Sequence, residues 1–344
     1  MTYPLGRLSL LAGLLAFFAS GLARGATIDP PSRFLFKSEH AIVAAQVTEV
    51  GADGKLSLRV HETLSGAPAT AQLQVRTSPQ WLDGFEPEQR VLVAYTLYRR
   101  SPTRQKSLEL RPGGALILVS EGLEPALFHD TPQSRALLVK PDDARAASRP
   151  WLDRILAGLR SEDPKQQNFF AAELVLRKPL HALLRSGDQK AIARFVNEGA
   201  AHPSARSSLL NVAAANPDGF GAQWPSDAAL AIVAHTKVGD VEAPLSPLPN
   251  LVRSSFDVLE RGNAKVPLAS ARRWLASGQV GLVEAALLAI RRSAPERERE
   301  SAEHALARAD LAPATGEFLR DHLRRLAIMQ DALEAERAAD REHG

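Results

Sequence analysis

The feature that most limits this chain is a change in the period of its apolar residues near residue 140. Upstream, apolar side chains tend to alternate every two residues; downstream they recur every three to four. A period of two suits a strand with one buried face, and a period of 3.6 suits a helix with one apolar stripe. No single kind of element serves the whole chain. At 344 residues, 45% hydrophobic and 24% charged, the composition is that of a globular protein with length for about two domains. The expectation is an α+β multidomain protein: a small antiparallel OB-like β-barrel, then an all-α solenoid or helical bundle, with two separate cores.

The upstream strands are set by alternation and turns. Residues 41–50 form one run, and the turn 51–54 ends in Asp53-Gly54, which supplies the positive-φ chemistry of a tight hairpin. Leu56, Leu58 and Val60 then alternate with Ser57, Arg59 and His61. Runs at 72–77, 90–98, 107–111 and 115–119 complete six strands with no long helix between them, the spacing of a barrel or sandwich.

Taken in order, AIVAAQVTEV, a turn, LSLRVHETLSG, a strand and FEPEQRVLVAY resemble the netrin/TIMP-like OB-barrel layout over residues 38–120. The resemblance implies a first strand entering the barrel, a second ending in a Leu64-Ser65-Gly66 corner, and a later strand after a Gly- or Glu-centred turn. Animal members pin the first strand with cysteines. This chain has none, which sets aside a protease-inhibitor role.

Residues 130–150, rich in proline, charge and small side chains, read as a linker. Beyond it, about ten amphipathic helices follow. Asp163-Pro164 is an N-cap with proline at the first helical position. SEDPKQQNFFAAELV at 161–175 resembles the second helix of a HEAT-type repeat, with GQVGLVEAALLAIRR at 278–292 and a fainter third copy at 202–213. Spacing is irregular and the proline-rich 242–250 interrupts the array, so a degenerate solenoid of stacked pairs and a non-repetitive bundle both stay open over 151–330. Leu319, Leu323, Leu326 and Leu333 give two heptads that dock on the stack or make a dimer, and the charged tail 331–344 is expected to fray.

The first residues read as an address. A basic start (Arg7), an apolar run at 8–19 and a small-residue exit at 20–26 describe a signal peptide, 1–25, cleaved near Gly25. An uncleaved anchor is the alternative, but Ser20 and Arg24 break the run short of a span. The expected location is periplasmic or secreted, with no stable span after cleavage. Removing Arg7 and Arg24 takes 42 basic residues to 40 against 39 acidic, a net +1. So small a charge offers no general attraction to nucleic acid. Zero cysteines exclude a disulfide scaffold and thiol chemistry.

Motifs for zinc proteases, serine hydrolases, nucleotide loops and calcium loops are absent, and the nine histidines are scattered, with only His61-Glu62 paired. No catalytic residue, cofactor or metal is expected. The one ligand-patch candidate gathers Tyr95, Tyr98, Arg99, Arg100, Arg104 and Lys106, where aromatics beside cations suit an anionic glycan or lipid headgroup. A solvated loop guarding a sheet edge is the plainer account. Trp81 and Phe85 are expected to plug the barrel, and Trp224 and Trp274 to lie in the core. The functional expectation is a non-enzymatic exported protein that binds an envelope or extracellular protein through its helical surface. The alternatives are an envelope hydrolase or its regulator, assembled from residues such as His40, His61 and Glu62, and the glycan or lipid binder.

Overall fold

A computed structural model of the chain describes residues 29–66, 71–98, 115–119, 124–140, 147–243 and 246–343. The signal-peptide stretch, the strand expected at 107–111 and the basic loop at 99–114 lie outside the described residues.

Six strands are described: β1 (His40–Val50), β2 (Lys55–Ser65), β3 (Gln72–Arg76), β4 (Arg90–Tyr98), β5 (Ala115–Leu118) and β6 (Leu127–His129). The ring closes in the order β1-β2-β3-β5-β4 and back to β1, with β6 added outside on β4. All pairs are antiparallel except β3 with β5, where Val75 faces Leu116 in a parallel register. That corrects the all-antiparallel expectation, and the reason is parity. A closed ring of five strands cannot alternate direction all the way round, so one neighbouring pair must run parallel.

Three register shifts along β1 supply the local bending that closure needs. Gly54 (φ 81°) ends the β1–β2 turn, and Gly66 (φ 78°) forms the corner after β2, where a Cβ would collide with the His40 carbonyl. The barrel interior holds Val43, Val47, Leu56, Leu58, Val91 and Val93 among others. Leu82 and Phe85 pack against this interior, as the expected plug, with Trp81 half-buried beside them.

The outer face of the barrel is not free. Ile42 and Ala44 of β1, Leu92 and Ala94 of β4, and Phe128 of β6 belong to the same apolar cluster as the helices. Strands β1 and β4 are therefore buried on both sides. The expectation of two separate cores holds for the barrel interior alone, because the wall between them is shared.

The helices are α1 (Pro31–Leu35), α2 (Pro132–Leu137), α3 (Arg149–Leu159), α4 (Pro164–Leu176), α5 (Ser186–Asn197), α6 (Pro203–Ala215), α7 (Pro217–Phe220), α8 (Trp224–His235), α9 (Val238–Val241), α10 (Leu248–Arg261), α11 (Leu268–Arg272), α12 (Val280–Ser293), α13 (Glu298–Leu306) and α14 (Pro313–His343). Helix α2, capped by Thr131 and burying Leu137, occupies the stretch read as a linker. The tail expected to fray from 331 continues α14 to His343.

Contacts sort ten of the helices into two rows. Helices α3, α5, α8, α11 and α13 form the first row, and α4, α6, α10, α12 and α14 the second. Each helix packs on its pair partner, and successive second-row helices touch; in the first row the α11–α13 step is made through the 3-10 turn Arg273–Ala276. The helical region is thus built as five packed helix pairs. Gly158 lets α3 approach α4 closely, since a Cβ there would lie 2.1 Å from the Phe170 ring. Trp274 is fully buried in this core, and Trp224 packs against it.

Candidate functional site

Of the six residues expected to form a ligand patch, Tyr95 lies inside the barrel at 3% exposure, among the interior side chains. Its ring cannot meet a surface ligand, so that part of the reading is corrected: positions 91, 93 and 95 of β4 point inward together. Tyr98 ends β4 opposite Ala115, and Arg99, Arg100, Arg104 and Lys106 fall outside the described residues. The residues suggested for a hydrolase do not converge. His40 is buried, with its Nδ1 3.3 Å from the Leu35 carbonyl. Glu62 sits opposite Ala44, four residues along β1, and accepts from Arg135 at 2.5 Å.

The structure instead builds a site where barrel, α1 and the first helix pairs meet. An apolar pocket of about 250 Å³ lies under α1, walled by Phe34, Phe128, Phe169, Val175 and Leu176. Beside it, a polar cleft of about 540 Å³ is lined by Asp83, Glu124, His129, Glu162, Asp163 and His202. The two recesses share Glu124 and Lys165.

Lys165 is placed by its helix start. Asp163 caps α4, its Oδ1 accepting the Lys165 N–H at 2.9 Å. The Lys165 ammonium stands 4.6 Å from the centre of the Phe85 ring and 3.5 Å from the Trp81 carbonyl. Burial pushes this amine below the ordinary lysine range, opposed by the charges of Glu124 and Asp163. The other Asp163 oxygen, Oδ2, is buried and has no hydrogen-bond partner among the described residues.

His202 caps α6 and is fully engaged. Its Nδ1 accepts the Ser204 N–H at 3.2 Å, so the proton sits on Nε2, which donates to Glu124 at 2.8 Å. Beneath the cleft, Ser161 donates to Gln166 at 2.9 Å, and Gln166 donates to Ser134 of α2 at 2.6 Å. All three are nearly fully buried, so the floor is rigid.

Sequence reasoning found the Asp163 cap but neither Lys165 nor the Glu124–His202 pair. The available signal was the unbroken apolar character of 41–45 and 91–95, which marks strands covered on both faces.

A second surface runs along the second row. Ser207 and Asn211 of α6 bond Ser254 of α10 at 2.8 and 3.0 Å, and Arg261 reaches Asn211 at 2.7 Å. Between α10 and α12 a groove of about 210 Å³ has an apolar floor that includes Phe256, Ala285 and Leu288, under a charged rim that includes Arg253, Asp257 and Glu284. Leu288 is 39% exposed there.

Among the described residues, no group of three or more metal-ligating side chains converges, and no helix is long and apolar enough to cross a membrane. The fold and its junction define a closed OB-like barrel capping a stack of helix pairs. Comparison with family models, with characterised proteins and with solved structures finds no match to this chain.

Proposed function

We propose that this chain is an exported, non-enzymatic interaction protein that holds a partner protein of the cell envelope along the second-row face of its helix stack. We read the pairs as degenerate HEAT-like repeats and the barrel as netrin/TIMP-like in layout. The observation that carries the reading is the continuity of that face. The pocket beside α4 and α6, the polar ladder from Ser207 to Arg261 and the groove between α10 and α12 follow one another along a single row. Stacked pairs bury one stripe of each helix and leave the opposite stripe as an extended surface suited to a protein chain. An apolar floor under a charged rim gives such a surface both contact area and register. Export rests on the pattern of residues 1–25.

The test is capture from envelope extract by the chain from residue 26 onward, in wild-type form and as Leu288→Asp and Arg253→Glu. Both positions line the groove. The expected result is a partner held by the wild type and lost, by about tenfold or more, from both variants. Capture unchanged by either substitution overturns the face. Fractionation that finds the full-length product in the cytosol overturns export.

A further inference from the structure

The apolar pocket and the polar cleft at the junction are neighbours that share Glu124 and Lys165 in their walls. An extended ligand lying over that shared wall would meet both, and their chemistries differ. The pocket is walled by three aromatic rings and the aliphatic side of α4. Its 250 Å³ exceeds the roughly 150 Å³ of an engineered apolar cavity that takes up benzene, so a large apolar side chain fits.

The cleft is acidic. Asp83, Glu124, Glu162 and Asp163 line it against one cation, Lys165. That cation is already placed over the Phe85 ring and faced by two carboxylates. Among the described residues Asp83 and Glu162 are exposed and have no ion-pair partner. A cationic N–H donor is drawn to these carboxylates, whereas an anionic head would have to approach against all four.

We propose that the junction binds an extended peptide segment of the partner, seating an apolar side chain in the pocket under α1 and a lysine or arginine in the carboxylate cleft. The pocket is continuous with the second-row face through Ser208 of α6, so the peptide is the end of the partner that lies along the stack. The inference rests on the interaction reading above and specifies the chemistry at one end of it.

The experiment titrates the purified full chain, without its signal segment, against a labelled heptapeptide carrying one phenylalanine followed closely by two lysines. The same peptide with glutamates for the lysines, and dodecanoate, are the comparison ligands. Two variants are used. Ala172→Trp fills the pocket from α4, and the pair Asp83→Asn with Glu162→Gln removes two exposed charges without touching the core. The expected result is saturable binding of the lysine peptide, weakened about tenfold or more by Ala172→Trp, and weaker and less salt-sensitive in the double-neutral variant. Equal or tighter binding of the glutamate peptide or of dodecanoate makes Lys165 the anchor and overturns the proposal. Lysine-peptide binding unchanged in the double-neutral variant, or no binding at all, overturns it too. Loss of partner capture on groove substitution together with failure of the peptide to bind would sink this inference and leave the interaction reading standing.

Discussion

Glu173 of α4 is fully buried, and removing it tests how the two halves are tied. Its Oε1 accepts the backbone N–H of Ser32 at the start of α1, and its Oε2 accepts Nε of Arg177 at 2.6 Å. Arg177 then closes the triangle by donating to Ser32 Oγ at 2.9 Å. Glu173→Ala leaves a guanidinium that is only 13% exposed without its counter-charge, and an N–H without its acceptor. Breaking a buried pair from one side costs about 3–5 kcal/mol. The chain has an escape: α1 can detach so that water reaches Arg177, at the cost of exposing Leu35, about 1.5–3 kcal/mol for a large aliphatic side chain. The smaller route wins, so the expected loss is about 1.5–3 kcal/mol. It should appear in urea unfolding at unchanged slope, with faster amide exchange confined to residues near 29–37. Glu173→Ala combined with Arg177→Met removes both charges and should regain part of the loss. A single variant within about 0.5 kcal/mol of wild type, with α1 still protected, would refute the buried triangle.

Other consequences are open to measurement. Gly158→Ala gains helix propensity of about 1 kcal/mol yet should destabilise by about 1–3 kcal/mol, because the new methyl meets the Phe170 ring at 2.1 Å; adding Phe170→Leu should recover much of it, and thermal melts decide. His181 and His322 are both pushed below the ordinary histidine range by burial. Their folded state resists a proton that the unfolded chain accepts, so the stability they contribute is full above about pH 6.5 and is lost as the pH falls through their lowered values. Denaturant melts at stepped pH should show that decline, and His181→Gln should flatten it; an unchanged profile counts against the buried neutral imidazole. Expressed from residue 147, the stack would expose the apolar side of its first pair around Leu152 and Phe169 and should aggregate. A soluble, cooperatively melting fragment would show that the barrel is not its cap.

How much of this was legible follows from what each residue depends on. Helices 164–176 and 248–261 are readable to the residue, because their boundaries are local: Asp163-Pro164 opens one, and Gly262-Asn263 closes the other, with Asn263 at φ 51°. Helix α1 was not readable. It is five residues long and owes its place to Glu173, 141 positions away. The β3–β5 parallel pair was hidden in the same way, although counting five strands around a closed ring would have required it. The candidate site was the least legible part, since Glu124 and His202 are joined only by the folded chain. The doubly apolar runs 41–45 and 91–95 did announce a covering layer. A reading for alternation alone passes over that sign.

The shared wall between barrel and stack sets a schedule for synthesis. Ala94 of β4 is made 75 residues before Phe169 of α4, since 169 − 94 = 75. At ordinary elongation speeds that is about 4–15 s. During that interval the nascent sheet has a lined inside and a greasy, uncovered back. A holding factor, or slow release of the growing chain, would find its purpose there, well before any partner arrives.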